Sequence, residues 1–265
     1  MSALFTQRSG SGEPLLLVHG IGGELHMWGP VSEQLSAQRE MIAVDLPGFG
    51  RSPPLPDGAE PSPARLAEAL GDLLDELGLA KAHVAGNSLG AWVALELAKQ
   101  NRALSVTALC PAGLWSAPLL VGDAPARNLT RRAALRLLPL LQQLVTTAAG
   151  RRLVLARFVA HPERISRAEA LRMMRAFVEA PAYEVTNAAM RRRHFEGFER
   201  IRVPVTVAWA ERDRLVRPAA TPPGVRVVRL PGCGHIPTWD DPDLVARVLL
   251  EGSAPADRPS AGLSG

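Results

Sequence analysis

The segment Gly86-Asn87-Ser88-Leu89-Gly90 sets a serine between two glycines, each two residues away. Its flanks, Ala82 to Gly86 and Leu89 to Gln100, read as a buried strand running directly into a helix. A serine on so sharp a turn has its hydroxyl lifted clear of the sheet, above a helix N-terminus that favours developing negative charge. Strand and helix crowd at such a corner, so the neighbours two residues away must be small. The chemistry open to this serine is nucleophilic attack, and an alcohol needs an adjacent base to perform it.

Histidine is the natural base near neutral pH. Six are available: His19, His26, His83, His161, His194 and His235. His83 lies inside a strand, and His161 and His194 fall in helical pattern beside Pro162 and an arginine run. His26 belongs to a loop beside the glycine turn that follows Val18, and His19 buttresses that turn. His235, in Pro231-Gly232-Cys233-Gly234-His235-Ile236-Pro237, follows the last strand on a loop able to return over the sheet edge. Asp213 follows the strand Val203 to Ala210 and is expected to orient that imidazole. Glu211 comes too early, Asp45 leads into a Pro47-Gly48 turn, and Asp240 and Asp241 are expected to cap the final helix. The chain order is therefore Ser88, Asp213, His235. Oxyanion donors are expected from the backbone N–H groups of Leu89 and of Ile21, the latter in His19-Gly20-Ile21-Gly22-Gly23. The two cysteines, Cys110 and Cys233, lack metal-type spacing and read as reduced thiols, and neither a metal nor a cofactor is expected.

These residues need elements to hold them. Leu15 to Val18, Met41 to Asp45, Ala82 to Gly86 and Ser105 to Cys110 are short apolar runs bounded by Gly, Pro or charge, the mark of buried parallel strands. Helical pattern separates them at Pro30 to Ala37, Ser62 to Leu77 and Leu89 to Gln100. After Pro111 the alternation stops. Residues 114–198 show arginine-rich amphipathic helical pattern: Arg131 to Thr147 with a bend at Pro139, Arg151 to Ala160, and Arg167 to Ala180. Strands return at Val203 to Ala210 and Val225 to Leu230, and a last helix runs from Asp241-Pro242 to Glu251. The expected division is a core of 1–113 with 199–252, a helical cap of 114–198 and a disordered tail of 253–265.

Charge follows the same division. Residues Arg127 to Arg202 hold 16 basic and 6 acidic side chains, whereas the rest holds 14 and 20. A basic block within an acidic frame marks an inserted unit, able to steer anions or simply to be solvated. It lacks the interleaved aromatics of a nucleic-acid surface, so no nucleic-acid partner is expected. No apolar run reaches the roughly 20 residues of a membrane span. Met1 to Pro14 has no signal-type stretch, which gives a cytoplasmic expectation.

Taken in order, HGIGG (His19–Gly23), DLPGFGRS (Asp45–Ser52), GNSLG (Gly86–Gly90), AERD (Ala210–Asp213) and GCGHIP (Gly232–Pro237) resemble the α/β-hydrolase superfamily. The resemblance covers nearly the whole chain outside the cap. It implies an α/β fold with an eight-stranded, mostly parallel sheet and a helical lid inserted after the sixth strand. Epoxide hydrolases and haloalkane dehalogenases of the superfamily carry Asp at the nucleophile position, where this chain has Ser88. Asn87 is similar to the meta-cleavage product hydrolases, whereas Ile21-Gly22-Gly23 and Ile236 depart from them. The chain looks more like small bacterial esterases, lactonases and cofactor-free haloperoxidase-like proteins. The resulting expectation is acyl-enzyme hydrolysis of a small or medium, largely apolar ester, with Trp28 and Trp115 as substrate contacts. A carbon–carbon hydrolase of ring-fission dienoates and a non-catalytic ligand-binding protein stay open as alternatives, as do monomer and homo-oligomer.

Overall fold

Alternate side chains of a strand point to opposite faces, so a strand apolar at every position needs cover on both sides. The computed structural model describes residues 4–254 except 57, 116–132 and 134, and within them the apolar runs meet this need in one sheet. Its strands are β1 (Thr6–Ser9), β2 (Pro14–Val18), β3 (Glu40–Val44), β4 (Ala82–Asn87), β5 (Ala103–Leu109), β6 (Val205–Ala210) and β7 (Arg226–Leu230). They lie in the order β1-β3-β2-β4-β5-β6-β7. Only β1 runs antiparallel to its neighbour.

The expected eight strands are seven among the described residues, and the helical insertion leaves after the fifth. Edge strand β1, of sequence TQRS, is short and polar because only one side of it is paired and little of it is buried. It gave no apolar signal to read.

Helices α1 (Ser32–Ser36), α2 (Pro63–Glu76) and α3 (Leu89–Lys99) follow β2, β3 and β4. On one face Leu16, Val18, Ile42, Val44, Val84 and Val106 pack against α2 and α3. The alternate residues Leu15, Leu17, Met41, Ala43 and Ala85 pack against the other layer, which includes Trp28 and the C-terminal helix. Helix α2 starts as expected, with the Ser62 side chain accepting from the Arg65 amide and Pro63 in the first turn. Helix α3 lies between the sheet and α2 and is buried nearly all round. The expected helix at Pro30–Ala37 is instead a 3₁₀ turn, Leu25–Val31, followed by the short α1; Pro30, inside the turn, supplies no amide that could join the two into one α-helix.

Between β5 and β6 come α4 (Leu138–Leu144), α5 (Ala148–Leu155), α6 (Arg167–Glu179) and α7 (Tyr183–Arg191). Ahead of α4, residues 133, 135 and 136 are already helical and Leu137 N donates to Ala133 O at 3.0 Å; the helix breaks at Leu137 and resumes as α4 with Pro139 in its first turn, in keeping with the bend expected there. The residues of the Arg131 helix before 133 lie outside the described residues. Helix α7 falls within the helical pattern of 114–198, beyond the three stretches named there. These helices share a small core of Val145, Leu155, Val159, Ile165, Ala170, Met174 and Val178. The last helix among the described residues is α8 (Pro242–Gly252), and Ser253 is buried against Arg39, whose Nη2 donates to its carbonyl at 2.8 Å. That contact sets Ser253 apart from the expected disordered tail, of which 255–265 lie outside the described residues. Among the described residues no helix is long and apolar enough to cross a membrane.

Candidate active site

Ser88 occupies the corner between β4 and α3 with φ 56° and ψ −115°. A non-glycine residue held at positive φ is strained, and the surrounding bonds must impose it. Here the Ser88 amide donates to Leu109 O at 2.9 Å, and its carbonyl accepts from Ala112 N at 3.1 Å and Trp92 N at 3.2 Å. The hydroxyl does not cap α3, so it is spent on no structural bond of that helix. A Cβ on Gly86 would lie 2.2 Å from Gly90 O, and one on Gly90 2.2 Å from Val18 O. Neither position has room for a side chain, as the crowding argument requires.

The glycine turn after β2 abuts this corner. A Cβ on Gly20 would meet the Ser88 Cβ at 3.2 Å. Gly23 N donates to Gly20 O at 2.9 Å, and Gly22 takes φ +72°, the positive value that the third residue of a type II turn requires. Ile21 is the second residue of that turn, so its N–H is not the one that closes it. Leu89 opens α3, where no carbonyl four residues back within the helix claims its amide. His19 is fixed beneath the turn: its Nε2 accepts from Leu46 N at 2.9 Å, so the proton sits on Nδ1, 2.8 Å from Gly20 O. Complete burial pushes its pKa down, against the pull of the Gly20 carbonyl and the Asp45 charge. It is a neutral prop, as its place in the sequence implies.

His235 and Asp213 come together as well. His235 Nδ1 stands 2.7 Å from Asp213 Oδ2, with both side chains almost wholly buried. The other carboxylate oxygen, Oδ1, accepts from Leu215 N at 2.7 Å and Val216 N at 3.0 Å. Burial raises the Asp213 pKa, but the His235 hydrogen bond and charge and these amides outweigh it, leaving the carboxyl below its ordinary value. The serine corner and the histidine loop are joined directly, because Asn87 Nδ2 donates to His235 O at 2.9 Å and to Leu109 O at 3.3 Å. Asn87 is thus committed to the backbone.

The competitors are elsewhere. Glu211 is exposed, where it accepts from Gly232 N at 2.8 Å and pairs with Arg229 at 2.6 Å. Asp45 accepts from Leu25 N and Arg51 N, which ties the loop after β3 to the glycine turn. His83 bonds Ser105 within the sheet. Asp241 caps α8 by accepting from Leu244 N at 2.9 Å, but Asp240 caps nothing. Its carboxylate instead receives Gly234 N, Ala160 N and His161 N. The sequence held a clue to this: Pro242 opens the helix, so only Asp241 directly before it can occupy the cap position.

The two aromatic candidates differ. Trp28 is buried in the layer beneath the sheet, a core residue and not a surface for substrate. Trp115 is half-buried, stacked edge-on against Trp92 at 5.7 Å, and its Nε1 donates to Arg193 O at 2.9 Å.

Cys110 follows β5 with φ 45°, and its sulfur lies within 4.8 Å of Asp213 and His235 ligand atoms. Among the described residues this is the group that could converge on a cation. Burial and the Asp213 charge push the Cys110 pKa well up, so the free thiol stays protonated. Asp213 and His235 are already bonded to each other. Burial likewise pushes Cys233 up to about 12. Because only the thiolate reacts, both cysteines should resist iodoacetamide in the folded protein and label fully once it is unfolded. Fast native labelling, read by intact mass, would contradict this placement.

A strained serine, a glycine turn and a buried histidine–aspartate pair at the C-terminal rim of a parallel sheet describe a hydrolase of the doubly covered α/β type. The model of the alpha/beta hydrolase family matches residues 15–248. The chain belongs to this family. It is 31% identical over 209 residues to the epoxide hydrolase EphH of Mycobacterium tuberculosis, covering 71% of this chain and 93% of that protein. It is 32% identical over 250 residues to the dihydrolipoyllysine-residue acetyltransferase component of the acetoin cleaving system of Pseudomonas putida, covering 90% of this chain but only 63% of that longer protein. Among solved structures it resembles a thermophilic esterase from Thermogutta terrifontis, with TM-score 0.74, 22% identity, and 94% and 92% of the two chains covered.

Proposed function

We propose that the chain is a carboxylic ester hydrolase working through an acyl-enzyme on Ser88. Ser88 Oγ attacks the ester carbonyl while His235 Nε2 takes its proton. The oxyanion so formed is held by the N–H groups of Leu89 and Ile21. Collapse breaks the ester C–O bond, and the alcohol leaves with the proton from His235. Water, deprotonated by His235, then attacks the acyl carbon, and the acid leaves as Ser88 recovers its proton. Asp213 keeps the proton on Nδ1 and stabilises the imidazolium. No cofactor enters the scheme, and with two free thiols we place the enzyme in a reducing, cytoplasmic setting.

The observation that carries the reading is the 2.7 Å contact between His235 Nδ1 and Asp213, on a loop bonded to the residue before Ser88. Binding alone has no use for an oriented, buried imidazole beside a strained serine. Epoxide opening, the activity of the mycobacterial relative, fits this nucleophile poorly on chemical grounds. A carboxylate that opens an epoxide leaves an ester that water can cleave, whereas a serine would leave an ether with no carbonyl to attack. The similarity of Asn87 to carbon–carbon hydrolases loses weight, since its amide is used on the Leu109 and His235 carbonyls.

The test is a panel of short-chain p-nitrophenyl esters, a simple lactone and one ring-fission dienoate. The expected result is a kcat/KM for the best ester at least about 100-fold above that for the dienoate, roughly 3 kcal/mol of transition-state preference. The reverse order would move the assignment to carbon–carbon cleavage. Failure of a fluorophosphonate to label Ser88 would move it to a non-catalytic binder.

A further inference from the structure

The carboxylate of Asp240, 8% exposed, is filled by three backbone amides from two parts of the chain. Oδ2 accepts from Gly234 N at 2.7 Å, the residue before His235. Ala160 N, 2.9 Å from both oxygens, and His161 N, 2.8 Å from Oδ1, come from the segment after α5. On the other side of His235, Ile236 N donates to Phe158 O at 2.8 Å. The approach is close enough that a Cβ on Gly234 would lie 2.7 Å from Ala160 N. Both neighbours of the histidine are therefore stitched to residues 158–161 of the helical insertion, and Ile236 and Trp239 pack on the insertion's own core.

The same insertion also reaches the opposite side of the site. The Phe158 ring lies 5.7 Å from Phe177, and Phe177 lies 5.0 Å from Tyr183. Phe177 and Tyr183 close over Gly22, where a Cβ would meet the Phe177 ring at 2.7 Å. One helical unit thus touches the histidine loop and the glycine turn together.

We infer that Asp240 is a positioning residue for His235, the clamp through which the helical insertion sets the base relative to Ser88 and the glycine turn. This rests on the reading of His235 as the base. A carboxylate suits the task because all three partners are donors and an ionised acid accepts only. Asp240→Asn keeps the size but turns one end into a donor facing donors. Misplacing a catalytic group by about 1 Å can cost on the order of 100-fold in rate.

The experiment measures kcat, KM, the pH profile of kcat/KM and thermal midpoint with p-nitrophenyl acetate for four single variants. Asp240→Asn and Gly234→Ala attack the clamp from its two ends, the second by wedging a methyl against Ala160. Asp241→Ala removes the adjacent aspartate, whose bond to Leu244 N only starts α8, and Ser88→Ala reports on the reaction itself. Expected are at least a tenfold loss of kcat and a displaced acid limb for both clamp variants. Asp241→Ala should show a lower midpoint with kcat within about twofold of the parent. Clamp variants with parental kcat and pH profile, or an Asp241→Ala loss as large as theirs, would overturn the inference. If Ser88→Ala is dead while the clamp variants are normal, the clamp alone falls; if Ser88→Ala keeps the parental rate, the assignment of the base falls with it.

Discussion

Ser88→Ala is expected to lower kcat toward p-nitrophenyl acetate by about 10⁴-fold or more and to abolish fluorophosphonate labelling. No other group can take over the attack. Cys110 is buried and protonated beside Asp213, and the Cys233 thiol has a pKa of about 12. Water remains, but the base would then act on an unpositioned nucleophile. Folding should survive, because the Ser88 hydroxyl caps no helix and alanine meets the same backbone strain at φ 56°. The variant should therefore keep its circular dichroism spectrum and its thermal midpoint within a few degrees. Activity above about 1% of the parent in such a folded variant would remove Ser88 from the mechanism.

Asp213→Asn is expected to cost about 10⁴-fold in kcat through a change of tautomer, with the geometry left intact. The reason lies in the two amides on the far oxygen. Leu215 N and Val216 N both donate to Oδ1, so an asparagine there must keep its carbonyl on that side. Its NH₂ is then forced into the place of Oδ2 and points a donor at His235 Nδ1. The ring must answer with a lone pair, which moves its proton to Nε2 and leaves nothing to accept the Ser88 proton. A nitrogen NMR measurement on labelled histidine would read the switch directly, and an unchanged tautomer with unchanged kcat would refute the argument. The same substitution has a pH signature. The Asp213 carboxyl sits below its ordinary value, so its contribution to stability is present above about pH 4 and lost as pH falls through the lower folded value. Acid unfolding of Asp213→Asn should lack that component.

Much of this was legible beforehand, for identifiable reasons. Central strands β2 to β6 announce themselves because burial on both faces demands unbroken apolar runs. The Ser88 corner is legible because backbone crowding admits only glycine at 86 and 90. Asp213 and His235 stand at strand ends, where chain direction alone brings them to one rim. What stayed hidden depended on partners far away in sequence. Edge strand β1 is held by the backbone of β3 and needs no apolar content. Trp28 reads as a substrate contact until the layer that buries it is seen. The work of Asp240 is invisible because its partners are backbone amides at 160 and 161, and an amide has no letter in the sequence.

The strands flanking the helical insertion are hydrogen-bonded neighbours, Val106 beside Val205 through Leu109 beside Ala208. Their ladder closes whatever length of chain is looped out between them, so the sheet keeps no memory of what is inserted. The insertion can accordingly be exchanged like a graft without parting the strands on either side of it. Any replacement must still bring two amides to Asp240 and an aromatic lid to Gly22, and those few contacts define the smallest fitting that such a graft has to reproduce.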